Sequence, residues 1–371
     1  MKLKNQFILL CITMLFVSSA FYSCKKEAVQ QGPQISFLPN STSFTIKVSD
    51  SVKIKATAVS GEAVTHSWKI GDDVVSVTDS FKYVFDKAGT YTIDYTGSNA
   101  NGKTEQRFTV QVSAVTGTGN TAFANSLFEF VPAPGQFINT APGDMKSAQG
   151  ILGNQSGMVT LGAYGGYIVL GFDHAVSNKA GDDIQVYGNA FANWSEPGIV
   201  YVMADDNGNG QPDDTWYELK GSVYGTADYM RDYAITYYRP DSPDKDVAWK
   251  DNKGGSGVVK KNQFHSQAYY PEWITANSYT LKGSWLKSKV DRTNPSYVVS
   301  PAYGWGYADD IANNDGGGKV DISNAVDDKG NQVSLTSVRF IKIQTAVLAD
   351  AGWLGEVSTE VTGVEDLNFG K

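Results

Sequence analysis

Residues 83–93 read Tyr-Val-Phe-Asp-Lys-Ala-Gly-Thr-Tyr-Thr-Ile, two strand-like runs on either side of a Lys-Ala-Gly turn. Aromatic and β-branched residues of this kind favour β-strands. Apolar and polar residues alternate in 43–48 and 52–56, as they do in half-buried strands, and shorter runs follow at 66–70 and 108–112. Several short strands separated by turns within about 80 residues predict a β-sandwich.

The run from Phe85 to Thr92, together with Ser98-Asn-Ala-Asn-Gly102, resembles PKD and related Ig-like domains. The resemblance implies that residues 35–113 form one Ig-like domain, which in such proteins is usually a spacer. Residues 114–121 are rich in Gly and Thr and predict a linker.

Residues 122–371 predict a single larger β domain. The chain has 38 Gly, 20 Tyr, 17 Phe and 8 Trp but only 19% charged residues, a composition that favours sheets joined by turns. Strand-like runs dominate, and no amphipathic helix exceeds a few turns. We therefore expect an all-β protein, with a jelly-roll-like sandwich as the C-terminal ligand-binding domain. The clearest strand-like runs are 166–172, 184–187, 199–203 and 338–343.

The N-terminus has the order of a secretory signal. A basic start is followed by an apolar run from Phe7 to Val17 and by small residues ending at Ser23. Cys24 then predicts a lipoprotein, with 1–23 as signal peptide and 24–34 as a polar tether. Several acyl chains would anchor it stably to a membrane. The alternative is an ordinary signal peptide with a chance cysteine, because residues 21 and 22, Phe and Tyr, are bulkier than usual before a lipidated cysteine.

The net charge of −8 and a pI near 5.0 argue against nucleic acid as a partner, since the sequence has no basic stripe to displace phosphate counterions. The only other cysteine, Cys11, lies within the signal, so the mature chain cannot form an internal disulfide. Stability must then come from the core and from bound metal, which points to calcium.

The segment 205–214, Asp-Asp-Asn-Gly-Asn-Gly-Gln-Pro-Asp-Asp, resembles the opening half of a calcium loop. An EF-hand would place Glu at the twelfth position, where this chain has Trp216. The loop is more similar to the Asp/Asn-rich loops of thrombospondin type 3 repeats, and a metal-free Asn-Gly turn is the alternative. The predicted metal ligands are Asp205, Asn207, Asn209, Gln211, Asp213 and Asp214.

A second acidic run, from Asp309 to Gly318, lacks regular spacing and predicts a solvated loop. The stretch from Asp321 to Asp327 predicts a short turn or helix capped by Asp321 or Ser323.

Aromatic residues are dense between 222 and 307. Tyr and Trp interleaved with Gly, Ser and Asn are typical of contact surfaces, although about half of such rings would belong to the core. Two clusters, 269–273 and 303–307, look least like core, because consecutive rings cannot all face inward from a strand. The predicted ligand-contact residues are Tyr269, Tyr270, Trp273, Trp285, Tyr303, Trp305 and Tyr307.

Catalysis finds little support in the sequence. There are three histidines, no Gly-x-Ser-x-Gly elbow and no zinc-protease spacing. A glycosidase needs only two carboxylates. The chain has 39 acidic residues, so its composition does not exclude this class of enzyme. We expect a binding protein rather than an enzyme.

Five stretches of the C-terminal domain together resemble Bacteroidetes surface lipoproteins that pair a PKD-like domain with a large β domain. Members of that group resemble accessory lipoproteins of cobamide (vitamin B12) uptake, the BtuH-like type. The resemblance implies an outer-membrane, cell-surface lipoprotein that holds cobalamin, a corrinoid, for a TonB-dependent transporter. The alternative is a surface glycan-binding or adhesion lipoprotein stabilised by calcium, and a structural surface protein is a third possibility. The stretches are 165–174, 188–200, 213–219, 321–327 and 352–361.

Overall fold

The computed structural model describes residues 32–117 and 121–371. The predicted signal peptide, Cys24 and nearly all of the predicted tether lie outside these ranges. Within them, no helix has both the length and the apolar character needed to cross a bilayer.

The N-terminal domain is a sandwich of two sheets. Its eight strands are β1 Ile35–Leu38, β2 Ser43–Lys47, β3 Ser51–Ala58, β4 Thr65–Ile70, β5 Asp73–Ser76, β6 Ser80–Val84, β7 Gly89–Asn99 and β8 Gly102–Ser113. The sheet orders are β1-β3-β6 and β2-β8-β7-β4-β5. The alternation predicted for β3 is confirmed: Val52, Ile54 and Ala56 face the core while their neighbours do not. Trp68 is fully buried against Phe81, Tyr95 and other rings of this core.

The C-terminal domain is also almost entirely β, which confirms the predicted fold class. Its first elements are β9 Val115–Thr116, β10 Ser126–Val131, α1 Met145–Gly150, β11 Val159–Thr160, β12 Tyr167–Ser177, β13 Ile184–Tyr187, β14 Gly198–Met203, β15 Tyr217–Leu219 and β16 Tyr229–Tyr238. The remaining strands are β17 Val247–Asp251, β18 Ser256–Val259, β19 Ser278–Leu286, β20 Lys319–Val320, β21 Ala325–Val326, β22 Ser337–Thr345, β23 Glu360–Val361 and β24 Gly363–Asp366. Three short 3-10 helices cover Asn313–Asp315, Ile322–Asn324 and Gly352–Leu354.

A seven-stranded sheet, β21-β15-β14-β22-β12-β10-β9, is the centre of this domain. Strand β14 is buried along its whole length, and β12 and β22 are buried over much of theirs, because both faces of the sheet are covered. On one face, Leu170 and Ile343 share a core with Ile184 and Val364 of a small sheet, β20-β13-β24. A separate four-stranded sheet, β18-β17-β16-β19, has its own aromatic core.

Two local predictions can be compared directly with the structure. The Asp321 side chain accepts a hydrogen bond from the Ser323 N–H at 2.7 Å and caps the helix Ile322–Asn324, as predicted. The predicted linker differs, because Val115 and Thr116 form a strand that pairs with β10. Both residues are β-branched and favour strands, and each pairs with a residue of β10.

The two domains meet at a small polar contact. Lys87 of the first domain lies 3.2 Å from the Glu129 carboxylate and donates a 2.6 Å hydrogen bond to the Tyr167 hydroxyl. The Ala88 N–H donates to the Phe128 carbonyl at 3.0 Å. These contacts place the end of the first sandwich beside the edge of the seven-stranded sheet.

Replacing Trp68 with Ala should destabilise the N-terminal domain by about 3–5 kcal/mol, because it removes a fully buried ring and leaves a cavity. Urea unfolding followed by far-UV circular dichroism measures the loss. Val77→Ala, at an exposed position of the same domain, is the control and should stay within about 0.5 kcal/mol of wild type. Equal effects of the two changes would contradict the assigned core.

Candidate functional site

A concave site in the C-terminal domain has a volume of about 760 Å³. This is within the range usual for small-molecule sites, about 300–1,000 Å³. It is formed by loops that converge at one end of the sheets, from segments 136–142, 189–196, 264–265, 296–299 and 353–360, with Met158 between them.

Glu196 and Glu360 are buried carboxyl groups at the floor of this cavity, and Asp309 lies beside them without lining it. Glu196 immediately precedes β14 in the short Glu-Pro-Gly connection, and Glu360 lies in β23, where it pairs with Thr160 of β11. Asp309 joins them from the loop after Tyr307. One carboxylate oxygen from each of these three residues lies within 4.8 Å of the others. Among the described residues, this is where three acidic side chains converge closely enough to hold one ion.

Backbone N–H groups hold Asp309 in place. One carboxylate oxygen accepts hydrogen bonds from the N–H groups of Asn189 and Ala190, both at 2.8 Å, and the other accepts from the Glu360 N–H at 2.9 Å. Asp309 itself has a φ of 51°, in the left-handed region that residues other than glycine adopt uncommonly and that Asn and Asp adopt more often than most. Gly188 is required beside it, because a Cβ there would lie 2.3 Å from an Asp309 carboxylate oxygen.

The two glutamates are oriented in a similar way. Glu196 accepts hydrogen bonds from the Ser358 N–H and from the Trp194 indole N–H, each at 3.0 Å. Glu360 accepts one from the Thr160 hydroxyl at 2.7 Å through Oε1, while its Oε2 is buried without a hydrogen-bond partner. The cluster is therefore tightly held, with one acceptor left over.

Burial raises the pKa of every member of this cluster. The pKa of Glu196 rises to about 8 and that of Asp309 to about 7, because burial penalises the charged forms and the neighbouring carboxylates repel. The pKa of Glu360 is raised for the same reasons. Within the described residues, no lysine or arginine forms an ion pair with these three groups.

Glu356 is a fourth buried carboxyl group of the cavity. Its Oε1 accepts a 2.7 Å hydrogen bond from the Gln136 N–H, and its Oε2 has no partner. Burial raises its pKa to about 7, and the charge of Asp350 adds to the effect.

Apolar rings surround the mouth of the cavity. Phe191, Phe264, Tyr297 and Trp353 line it and are mostly exposed, with Trp353 at 56%. The Trp353 indole N–H donates to the Pro295 carbonyl at 3.2 Å, which joins two of the lining loops. Exposed rings at a concave mouth leave flat faces free for a ligand.

The aromatic residues predicted as ligand contacts do not form this mouth. Tyr269, Tyr270, Tyr303 and Tyr307 are buried in two core clusters and do not line the cavity, so ligand contact by these rings stays a prediction that the cavity does not support. Consecutive rings cannot all face inward from a strand, but segments 269–273 and 303–307 are irregular, so neighbouring rings there can both be buried. The other three do not line the cavity: Trp273 and Trp285 pack partly buried against core residues, and Trp305 is exposed elsewhere.

The predicted calcium loop, 205–214, forms hydrogen bonds within itself. Asp213 accepts from the side-chain amides of Asn207 and Asn209, at 2.9 and 3.0 Å, and Asp214 accepts from the Asp206 N–H at 3.0 Å. Asp205 pairs with Arg339 at 2.6 Å. Calcium binding by Asp205, Asn207, Asn209, Gln211, Asp213 and Asp214 therefore stays a prediction, and the alternative of a hydrogen-bonded turn accounts for these contacts.

The sequence pattern did not predict that Asp309 is buried or that it converges with Glu196 and Glu360. The run beginning at Asp309 was predicted to be a solvated loop, yet Asp309 and Asp310 are buried. Asp310 accepts hydrogen bonds from the Ser195 hydroxyl and from the N–H groups of Tyr303 and Gly304. A signal was present, because Glu196, Glu356 and Glu360 all lie in stretches that carried the family resemblance.

Residues 29–112 match the family model of the PKD domain, so the N-terminal domain is a PKD domain, as the resemblance implied. No curated protein sequence matches the chain significantly.

Three solved structures share a weak likeness. A quinonprotein alcohol dehydrogenase-like protein of Bacteroides thetaiotaomicron is 11% identical, aligns over 64% of this chain and 50% of its own, and has a TM-score of 0.22. The surface glycan-binding protein SGBP-B of the Bacteroides ovatus mixed-linkage glucan locus is 12% identical over 68% and 98%, with a TM-score of 0.20. A SusE-like polysaccharide-binding protein of the B. thetaiotaomicron heparin utilisation locus is 11% identical over 63% and 46%, with a TM-score of 0.20. This chain thus spans about half the length of the first and third, and scores this low carry no argument about function.

Replacing Glu356 with Gln should make stability less dependent on pH. The folded pKa near 7 lies above the unfolded value of 4.5. Between those values the unfolded chain has lost its proton while the folded chain retains it, so stability falls as pH rises through this window, by on the order of 3 kcal/mol. Urea midpoints at about pH 4 and about pH 7.5 should differ less in the variant than in wild type.

Glu272→Gln removes the same charge from an exposed position and is the matched control. The other buried carboxyls are present in both variants, so the difference between the two slopes belongs to Glu356. Identical slopes for E356Q and wild type would contradict its buried, uncompensated position.

Proposed function

We propose that this protein is a lipid-anchored surface protein that binds carbohydrate in the cavity of its C-terminal domain. The observation that carries the proposal is the combination of exposed aromatic rings at the mouth with buried, partly unpaired acceptors at the floor. The TonB-dependent transporter predicted from the sequence would then receive the bound ligand.

The chemistry of the cavity suits a sugar. Aromatic rings pack against the C–H faces of sugar rings, and Trp353 and Tyr297 present such faces at the mouth. Sugar hydroxyls are hydrogen-bond donors that can satisfy acceptors left without a partner in the cavity, such as Glu356 Oε2. A binding site of this kind combines apolar area with a few oriented polar groups.

The order of the chain suits the same role. Cys24 would hold the N-terminus at the outer membrane, the polar tether and the PKD domain would act as spacers, and the cavity lies in the last domain. A ligand captured there would be held outside the membrane, at a distance set by the first domain.

A corrinoid is the competing ligand. It was expected from the family resemblance, and its stacking was assigned to rings such as Tyr269 and Tyr303, which are buried. The amide rim of a corrinoid could still donate to the acceptors of the cavity, so cobalamin belongs in the same binding experiment. Visible absorbance that remains with the protein after desalting would favour it over carbohydrate.

Trp353→Ala should weaken binding of oligosaccharides about tenfold, which corresponds to ~1.4 kcal/mol for the loss of one stacking face. Isothermal titration calorimetry with cello-, xylo-, manno- and galacto-hexaose and with a chondroitin hexasaccharide measures the effect. Tyr297→Ala, on a different loop of the mouth, should act in the same direction.

Trp305→Ala is the matched control, because Trp305 is also 56% exposed but lies outside the cavity. Binding that W305A reduces and W353A leaves intact would contradict the assigned site. Cleavage of any hexaose during the titration would contradict a purely binding role.

A further inference from the structure

We propose that Glu196, Asp309 and Glu360 together bind one hard divalent cation, with Ca²⁺ preferred, at the floor of the cavity. The proposed ion site is distinct from the loop 205–214. It does not depend on the identity of the ligand, and it can be tested with metal alone.

The distances suit such an ion. Three carboxylate oxygens that lie within 4.8 Å of one another can contact a common centre at the ~2.3–2.6 Å usual for Ca²⁺ with little rearrangement. The donor set is oxygen only, which selects Ca²⁺ or Mg²⁺ over transition metals. Mg²⁺ needs a shorter and more regular octahedron, so a site of three separate side chains favours Ca²⁺.

An unpaired acceptor points to a missing partner. Glu360 is only 6% exposed and lines the cavity, and no N–H or hydroxyl group among the described residues donates to its Oε2. The same is true of Glu356, whose Oε2 is also buried and unpaired. The Glu196 carboxyl is close enough to hydrogen-bond with Glu360 when one of the two groups is protonated. A buried carboxylate oxygen without a donor costs free energy unless something supplies positive charge.

The surrounding groups orient the carboxylates without neutralising them. Apart from a contact between the Glu196 and Glu360 carboxyl groups themselves, the hydrogen bonds given to Asp309 and Glu196 come from backbone N–H groups or from the Trp194 indole, which carry no net charge. Among the residues that the structure describes, no lysine or arginine lines the cavity. In metal sites, neutral donors of this kind orient the side chains that bind the metal without neutralising their negative charge.

The chain supplies three ligand residues, whereas Ca²⁺ takes about six to eight oxygens. Because Glu196 and Glu360 line the cavity, water or ligand hydroxyl groups within it would complete the coordination of the ion. The ion would therefore stabilise the convergence of three loops and add a Lewis-acidic contact for whatever enters.

The test uses terbium as a probe, followed by calcium competition, on protein stripped with EDTA. Trp194 donates to Glu196 at 3.0 Å, so a lanthanide bound there lies close enough to an indole for sensitised emission. Wild type should show saturable emission that Ca²⁺ displaces with one-site behaviour. Calorimetry with Ca²⁺ alone gives the affinity directly.

Glu360→Gln keeps the shape of the side chain and its bond to Thr160 but removes one charge, and it should weaken Ca²⁺ binding about tenfold or more. Glu196→Gln is the second variant, in case the first folds poorly. Asp309 is not changed, because its carboxylate accepts three backbone N–H groups that an amide could not satisfy equally. Asp213→Asn, in the loop 205–214, is the matched control and should leave the measured site intact.

Two results would overturn the inference. One is the absence of Ca²⁺ binding by wild type up to about 10 mM, above the range of weak extracellular calcium sites; the carboxyls would then be neutralised by protons. The other is loss of the signal in D213N with retention in E360Q, which would assign the ion to the loop. Because no sugar is present, neither result depends on whether the cavity binds carbohydrate.

Discussion

Three carboxyl groups are buried side by side, and no lysine or arginine of the described residues forms an ion pair with them; this imposes the strongest constraint on the C-terminal domain. Like charges within 4.8 Å in a dry environment repel one another and raise one another's pKa. Such an arrangement persists only if the surroundings hold it firmly. The backbone holds the carboxyl groups in place here, because the N–H groups of Ala190, Ser358 and Glu360 donate to carboxylate oxygens rather than to a neighbouring strand.

The sheets provide the rigidity that this arrangement needs. Glu196 lies just before β14, Asp309 lies in the loop between β19 and β20, and Glu360 lies in β23. Val200 of β14, Val320 of β20 and Val361 of β23 belong to one continuous core. A displacement of any loop would therefore have to disturb packed Ile and Val side chains. The free energy that burial of the apolar core contributes thus offsets the cost of burying charge at its edge.

The aromatic residues fall into two groups with different roles. Most of the rings between 222 and 307 stabilise the second half of the domain from within, as Tyr237 and Tyr270 do through hydrogen bonds from their hydroxyls to backbone carbonyls. Of the four rings at the mouth of the cavity, Phe264 and Tyr297 belong to this stretch, whereas Phe191 and Trp353 come from other parts of the chain. Ring content is therefore a poor guide to the binding surface, since what distinguishes the two groups is exposure.

From the sequence alone came the all-β class, the PKD domain, the alternation of β3 and the cap of the helix at Asp321, because all of these depend on neighbours within a few residues. The cavity depended on long-range contacts. Glu196, Asp309 and Glu360 are up to 164 positions apart in the chain, and each looks like an ordinary surface acid when read with its neighbours. Only the tertiary structure could bring them together and bury them, because the convergence of the loops is determined by how the sheets pack and not by local pattern.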